Sequence, residues 1–228
     1  MTYKEIKYIF ESNNCEISES QYLLMEKYVS LLIGENKKVN LISRKGEEKV
    51  WENHILHSLS LVLNSRIRGN DKWKGKKILD IGAGGGLPGI PTKILFPDSS
   101  LTLLDSIQKK VTCVQRIVDE LRLKNINCVC GRAEEIGRKK EYANKYDIVV
   151  SRAAAPLVDL VEWSKMFLKN NGKLIALKGG NLEKEFIDCR MKFSYTIQEY
   201  YIDLVGLEYL REAEKKIVMV ENHQGFIT

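Results

Sequence analysis

Residues 77–91 read Lys77-Ile78-Leu79-Asp80-Ile81-Gly82-Ala83-Gly84-Gly85-Gly86-Leu87-Pro88-Gly89-Ile90-Pro91. An apolar run ends in an acid and then in a string of small residues. Pro88 follows at a position suited to open a helix, where its missing N–H costs little. Strand, glycine turn and helix in this order form the first unit of a parallel α/β sheet. Glycines let the backbone turn sharply and approach a ligand closely.

The pattern continues downstream. β-rich runs at Lys77–Ile81, Leu101–Leu104, Ile126–Cys130, Asp147–Val150 and Lys173–Leu177 alternate with helix-like segments. Those segments are Pro88–Phe96, Ile107–Leu123, Leu157–Leu168 and Leu182–Met191. Alternation of this kind predicts a mostly parallel sheet with helices on both faces. Two later runs, Tyr195–Leu204 and Lys216–Val220, have no obvious helix between them and suit an antiparallel hairpin at the sheet edge.

Upstream the period is helical. Tyr22, Leu23, Met25, Tyr28, Val29 and Leu32 recur at helical spacing, and Ser18 with Gln21 forms a capping-box pattern before them. Residues 3–10 and 47–63 also read as amphipathic helices. The polar stretch Asn64–Asp71 reads as a connection. The expected organisation is a helical N-terminal extension over 1–70 and an α/β domain over 71–228.

Composition narrows the class. With 228 residues and 44% hydrophobic content the chain can bury a sizeable core. No apolar run is long enough to span a bilayer, so no membrane role is expected. The first residues carry an early acid and no long apolar stretch, so no secretion signal is expected either. The five cysteines include no CxxC pair and read as reduced thiols of a cytoplasmic protein. A net charge of +6 suits a polyanionic partner. The cations cluster as Arg66, Arg68, Lys72, Lys74, Lys76 and Lys77 against Asp71, and as Lys37, Lys38, Arg44 and Lys45. A solvated surface explains each cluster equally well.

Ligands of open parallel sheets sit beyond the carboxyl ends of the strands, and four strand ends carry candidates. At the first, the spacing Asp-x-Gly-x-Gly-x-Gly places Gly82 and Gly84 in the loop. Leu87 stands where the G-x-G-x-x-G dinucleotide pattern needs its third glycine, which favours S-adenosylmethionine over NAD. A tight turn without ligand is the plain alternative. At the second, Asp105 can accept hydrogen bonds from ribose hydroxyls or cap the next helix. At the third, Ala133 and Glu134 suit an adenine edge, or are turn residues. At the fourth, Ser151-Arg152-Ala153 offers a cation for a cofactor carboxylate or an RNA phosphate, or for a surface ion pair. Lys178 adds charge at the rim or is a loop residue. His54 and His57 lie one turn apart, but with no third ligand in view no metal is expected. Trp51, Trp73 and Trp163 are expected in the core.

Together these residues resemble the bacterial 16S ribosomal RNA guanine-N7 methyltransferase family, RsmG, also called GidB. The resemblance runs in order from about residue 36 to 180. It rests on Asn40-Leu41-Ile42, His54–Leu59, Gly86-Leu87-Pro88-Gly89-Ile90-Pro91, Leu103-Leu104-Asp105-Ser106, Gly131–Glu135, Ser151-Arg152-Ala153 and Ala176-Leu177-Lys178-Gly179. It implies a Rossmann-like class I S-adenosylmethionine-dependent methyltransferase fold, with a mostly parallel seven-stranded sheet. It also implies methylation of a guanine N7 in 16S rRNA of the small subunit or an assembly intermediate, by a cytoplasmic monomer. Its cofactor contacts fall at Gly82, Leu87, Ala133, Glu134 and Arg152, the last also the expected catalytic residue. Three positions depart from the family pattern: Ala83 replaces Thr or Ser, Gly85 replaces Pro or Ala, and His57 replaces Asp. The competing readings are a small-molecule methyltransferase, a nucleotide-binding scaffold and an NAD-dependent oxidoreductase.

Overall fold

The apolar residues of the central strands alternate between two cores. Ile78, Leu103, Ile148 and Ile175 face one hydrophobic cluster, and Leu79, Leu104, Val149 and Leu174 face the other. A sheet buried on both faces must carry helices on both. The computed structural model describes residues 1–43, 48–68, 73–152 and 154–221. Arg44, Lys45, Asp71, Lys72 and Ala153 lie outside the described residues, as do the side chain of Arg68 and the expected helix start at Glu47.

Helices α1 (Tyr3–Ser12) and α2 (Glu19–Asn36) come first. Both start with complete capping boxes, Thr2 with Glu5 and Ser18 with Gln21, each worth about 1 kcal/mol. A π-helical turn, Trp51–Leu56, runs directly into α3 (His57–Leu63). The short α4 (Ser65–Arg68) lies where the sequence suggested only a connection.

The α/β part follows as β1 (Lys77–Ile81), α5 (Gly89–Leu95), β2 (Ser100–Asp105), α6 (Gln108–Leu121), β3 (Ile126–Cys130) and α7 (Ala133–Ile136). It continues with β4 (Tyr146–Arg152), α8 (Leu157–Phe167), β5 (Leu168–Gly179), α9 (Glu183–Lys192), β6 (Thr196–Tyr201), α10 (Glu208–Glu212) and β7 (Lys215–Glu221). The seven strands lie in the order β3-β2-β1-β4-β5-β7-β6. Strands β1 to β5 pair in parallel, and β7 pairs antiparallel with both β5 and β6. The expected antiparallel edge is present, but α10 stands between its strands, so the pair is no tight hairpin. Pro88 is the N-cap of α5 and not its first helical residue.

The strand order reverses between β1 and β4, which opens a crevice at their carboxyl ends. One hydrophobic cluster joins the N-terminal helices to the sheet: Tyr28, Leu32 and Leu59 share it with Ile90, Leu103 and Ile217. Helix α2 packs against the glycine loop that borders the crevice. None of the five cysteines forms a disulfide; Cys15, Cys113 and Cys189 are buried, while Cys128 and Cys130 are half-buried.

Candidate active site

Four strand ends converge on one cavity of about 400 Å³. The seven residues singled out from sequence, Gly82, Gly84, Leu87, Asp105, Ala133, Glu134 and Arg152, all line it. So do Leu41, Ile107, Lys110, Arg132 and Trp163, to which the sequence reading gave no binding role. Trp163, expected in the core, is half-buried on α8 and forms part of the cavity wall. Trp73 is fully buried, and Trp51 stacks on Tyr22 with ring centroids 5.7 Å apart.

The glycine loop is held from two sides. From the sheet, the Gly82 and Ala83 amides donate to the Leu104 carbonyl at 2.9 and 3.1 Å. From the N-terminal helices, the buried Tyr28 hydroxyl donates to the Gly85 carbonyl at 2.9 Å. Asn36 accepts from the Leu41 and Ile42 amides, which sets Leu41 against the loop. A Cβ on Gly85 would stand 2.7 Å from Leu32 Cδ1 and 3.4 Å from Leu41 Cβ. Helix α2 thus presses close on the loop, and a larger residue at Gly85 would have to turn the end of the Leu32 side chain aside. Gly82 has φ +71°, and a Cβ there would meet Ala154 Cβ at 2.5 Å.

Asp105 is nearly buried and braces two elements. One carboxylate oxygen accepts from the Gly84 amide at 3.0 Å, the other from the Ile107 amide at 2.9 Å. The N-cap of α6 is Ile107, so Asp105 braces the approach to that helix and is not its N-cap, and it borders the cavity.

Arg152 sits at the end of β4, half-buried. It donates to His54 Nδ1 at 3.0 Å and weakly to the Asn53 carbonyl at 3.4 Å. Among the described residues no carboxylate lies within ion-pair distance of it, so the surface ion pair weighed for this side chain does not form. Behind it, Asp80 is fully buried: one oxygen accepts from the Gly89 amide at 2.8 Å, and the other has no partner among the described residues. Burial pushes the Asp80 carboxyl up to about 7, against the pull of Gly89 and Arg152. Burial, reinforced by Arg152, pushes His54 down to about 4 and His57 down to about 3. Both imidazoles are neutral at pH 7, and the Nε2 of each is buried without a partner among the described residues. No cluster of three or more His, Cys, Asp or Glu suited to a metal occurs among the described residues.

These groups give stability opposing dependences on pH. For each histidine the folded pKa lies below the unfolded value. The stability gained by keeping it neutral holds above pH 6.5 and is lost as pH falls toward 4. For Asp80 the folded pKa lies above the unfolded 3.8. Its contribution is complete below that value and is lost as pH rises through about 7. Between pH 4 and 6.5 the two trends oppose each other. Asp80→Asn removes the acid's share, so its stability falls more steeply on acidification than the parent's. Urea midpoints at pH 5 and pH 7 check this, and parallel pH curves would show that Asp80 is ionised throughout.

The basic residues are spread over the surface, with Arg66 in a cleft beside β6 and Lys38 paired to Glu35. Lys76 and Lys77 lie at the amino end of β1, opposite the cavity, where Lys76 lines a cleft with Lys169 and Lys173. Lys110 and Arg132 lie at the cavity itself. Among the described residues no helix is long and apolar enough to cross a membrane.

Known proteins share both the sequence and the fold. The family model GidB, described as rRNA small subunit methyltransferase G, matches residues 21–206. A protein of Caldanaerobacter subterraneus subsp. tengcongensis named ribosomal RNA small subunit methyltransferase G is 41% identical over 165 residues, covering 72% of this chain and 66% of the relative. The matched part thus spans just under two thirds of that relative's length. A protein of the same name from Chlorobium limicola is 39% identical over 212 residues, covering 90% of each chain. A solved structure from Agrobacterium tumefaciens, described as a predicted O-methyltransferase, superposes with a TM-score of 0.55 at 14% identity. It covers 75% of this chain and 81% of that one, and it shows the class of fold. With the family model matched across most of its length and relatives this similar, the chain belongs to the GidB family of rRNA small subunit methyltransferase G proteins.

Proposed function

We propose that the protein transfers a methyl group from S-adenosylmethionine to N7 of a guanine in 16S rRNA of the small ribosomal subunit. The observation that carries this reading is the polarity of the cavity. An acid, Asp105, stands at one strand end and at another a cation, Arg152, without a carboxylate partner among the described residues, with the glycine loop between them.

That donor set fits the cofactor. Asp105 has carboxylate lone pairs left for ribose hydroxyls after its two backbone bonds. Ala133 and Glu134, at the start of α7, suit the adenine edge, with Trp163 and Ile107 as apolar walls. Leu87 and the loop backbone at Gly82 and Gly84 suit the aminoacyl part. Arg152 holds a carboxylate at the far end. S-adenosylmethionine, when bound, supplies an electrophilic methyl on a sulfonium sulfur.

Guanine N7 offers a lone pair and carries no proton, so no residue of the chain has to act as a general base. The work left to the residues is alignment and exclusion of water. Arg152 and the braced loop fix one reactant while cations at the rim grip RNA phosphates in a salt-sensitive way. Action as a monomer in the cytoplasm is part of this proposal.

Asp105→Ala should weaken S-adenosylmethionine binding by about 1–3 kcal/mol, the scale of hydrogen bonds to a charged group. Calorimetry measures it, and unchanged affinity would remove the ribose role. The function itself is tested by incubating the protein with methyl-labelled S-adenosylmethionine, unmodified small subunits and a pool of small-molecule acceptors. Label in the RNA is expected. Label only in the small-molecule fraction would establish a small-molecule methyltransferase instead.

A further inference from the structure

Beside the cofactor cavity lies a second cavity of about 440 Å³, within the size range of small-molecule sites. The two share Ala154, whose methyl abuts Gly82, so Ala154 stands at the partition between them. The polar groups of the second cavity divide into committed and uncommitted ones. Lys178 and Glu185 are committed: they pair at 2.6 Å, Lys178 also donates to the Ala155 carbonyl, and Glu185 also accepts from the Leu157 amide. His57 and Lys215 are not. His57 is buried with Nε2 unpartnered, and Lys215 has no carboxylate within ion-pair distance, both among the described residues.

Leaving a buried imidazole nitrogen without a partner costs about 1–3 kcal/mol. The chain bears this cost in the wall of a cavity that adjoins the proposed methyl donor. A ligand that answers both groups presents one uncharged acceptor and one anionic group. Guanine entering by its N7 edge presents O6 next to N7, and its nucleotide carries a phosphate. Resting on the function proposed above, we infer that this cavity receives the target guanine, with His57 Nε2–H donating to O6 and Lys215 pairing with a flanking phosphate. Adenine would bring an amino group to the same donor, so His57 would also be the residue that rejects adenine. The imidazole is suited to this because it is neutral across the physiological range.

The test compares the parent protein with His57→Phe, His57→Asn and Lys215→Ala on small subunits that lack the methyl group. His57→Phe should lower kcat/KM for the subunit by about tenfold or more, with S-adenosylmethionine affinity unchanged by calorimetry. His57→Asn, which returns an N–H donor, should recover part of the loss. Lys215→Ala should raise KM for the subunit and leave kcat unchanged. If His57→Phe methylates as well as the parent, or if the asparagine restores nothing, the assignment fails while the proposed function stands. If the parent methylates no guanine, both fail together.

A second measurement needs no variant. With S-adenosylhomocysteine bound to the parent, inosine 5′-monophosphate keeps O6 and N7 and should shift the NMR signals of the His57 ring. Adenosine 5′-monophosphate should not. An equal response to the two nucleotides, or no response to either, overturns the reading.

Discussion

Replacing Arg152 by methionine lowers methyl transfer by about one to two orders of magnitude, measured as kcat/KM for S-adenosylmethionine, and leaves the melting temperature unchanged or higher. The first half follows from the proposed grip on an anionic group, since hydrogen bonds to charged groups are worth about 1.5–3 kcal/mol. The second half follows from how the side chain is held. Its guanidinium is half-buried, and its contacts are one imidazole nitrogen and one distant carbonyl, with no carboxylate within ion-pair distance among the described residues. Desolvation without a counter-charge costs stability, and methionine fills similar space without that cost. A residue kept despite this serves a ligand. A variant that is fully active, or one that unfolds readily, would show that Arg152 is structural.

Gly82→Val should abolish measurable cofactor binding and lower the melting temperature. Two costs add. At φ +71° a residue with a Cβ is strained by about 1–2 kcal/mol, and β-branching makes this worse. The new side chain also has to displace Ala154, whose Cβ would stand 2.5 Å away. In a chain of this size each kcal/mol shifts the melting temperature by about 2–4 °C, so the strain alone predicts a drop of roughly 2–8 °C. The binding loss should exceed the stability loss, because Ala154 borders both cavities. Near-normal affinity in a folded variant would mean that the loop does not touch the cofactor.

The parallel sheet was legible because its strands are buried on both faces and read as short apolar runs between helical segments. The site was legible in outline for the same reason. Once β1 to β4 are placed, their carboxyl ends must meet, and Gly82, Asp105, Ala133 and Arg152 stand at those ends. What escaped depends on contacts distant in sequence. Nothing local in Tyr28 or Leu32 tells that helix α2 presses on the glycine loop at Gly85. Trp163 has the spacing of a core residue on α8, and only the packing of that helix against β4 and β5 and beside α7 turns it toward the cavity. The π-helical turn at Trp51–Leu56 has no periodic signature in so short a stretch, although it sets His54 against Arg152. The cations of the 66–77 cluster carry no signal of where they lie relative to the site, and the direction of β1 puts Lys76 and Lys77 at the opposite end of the sheet from it.

The central claim, a site that methylates guanine N7, is tested most directly on the RNA itself. Unmodified small subunits are incubated with the protein and methyl-labelled S-adenosylmethionine, the 16S rRNA is digested, and its nucleosides are identified by mass spectrometry. The account predicts that the label is recovered as 7-methylguanosine and that Arg152→Met strongly reduces it. Label on any other nucleoside, or on none, would contradict it.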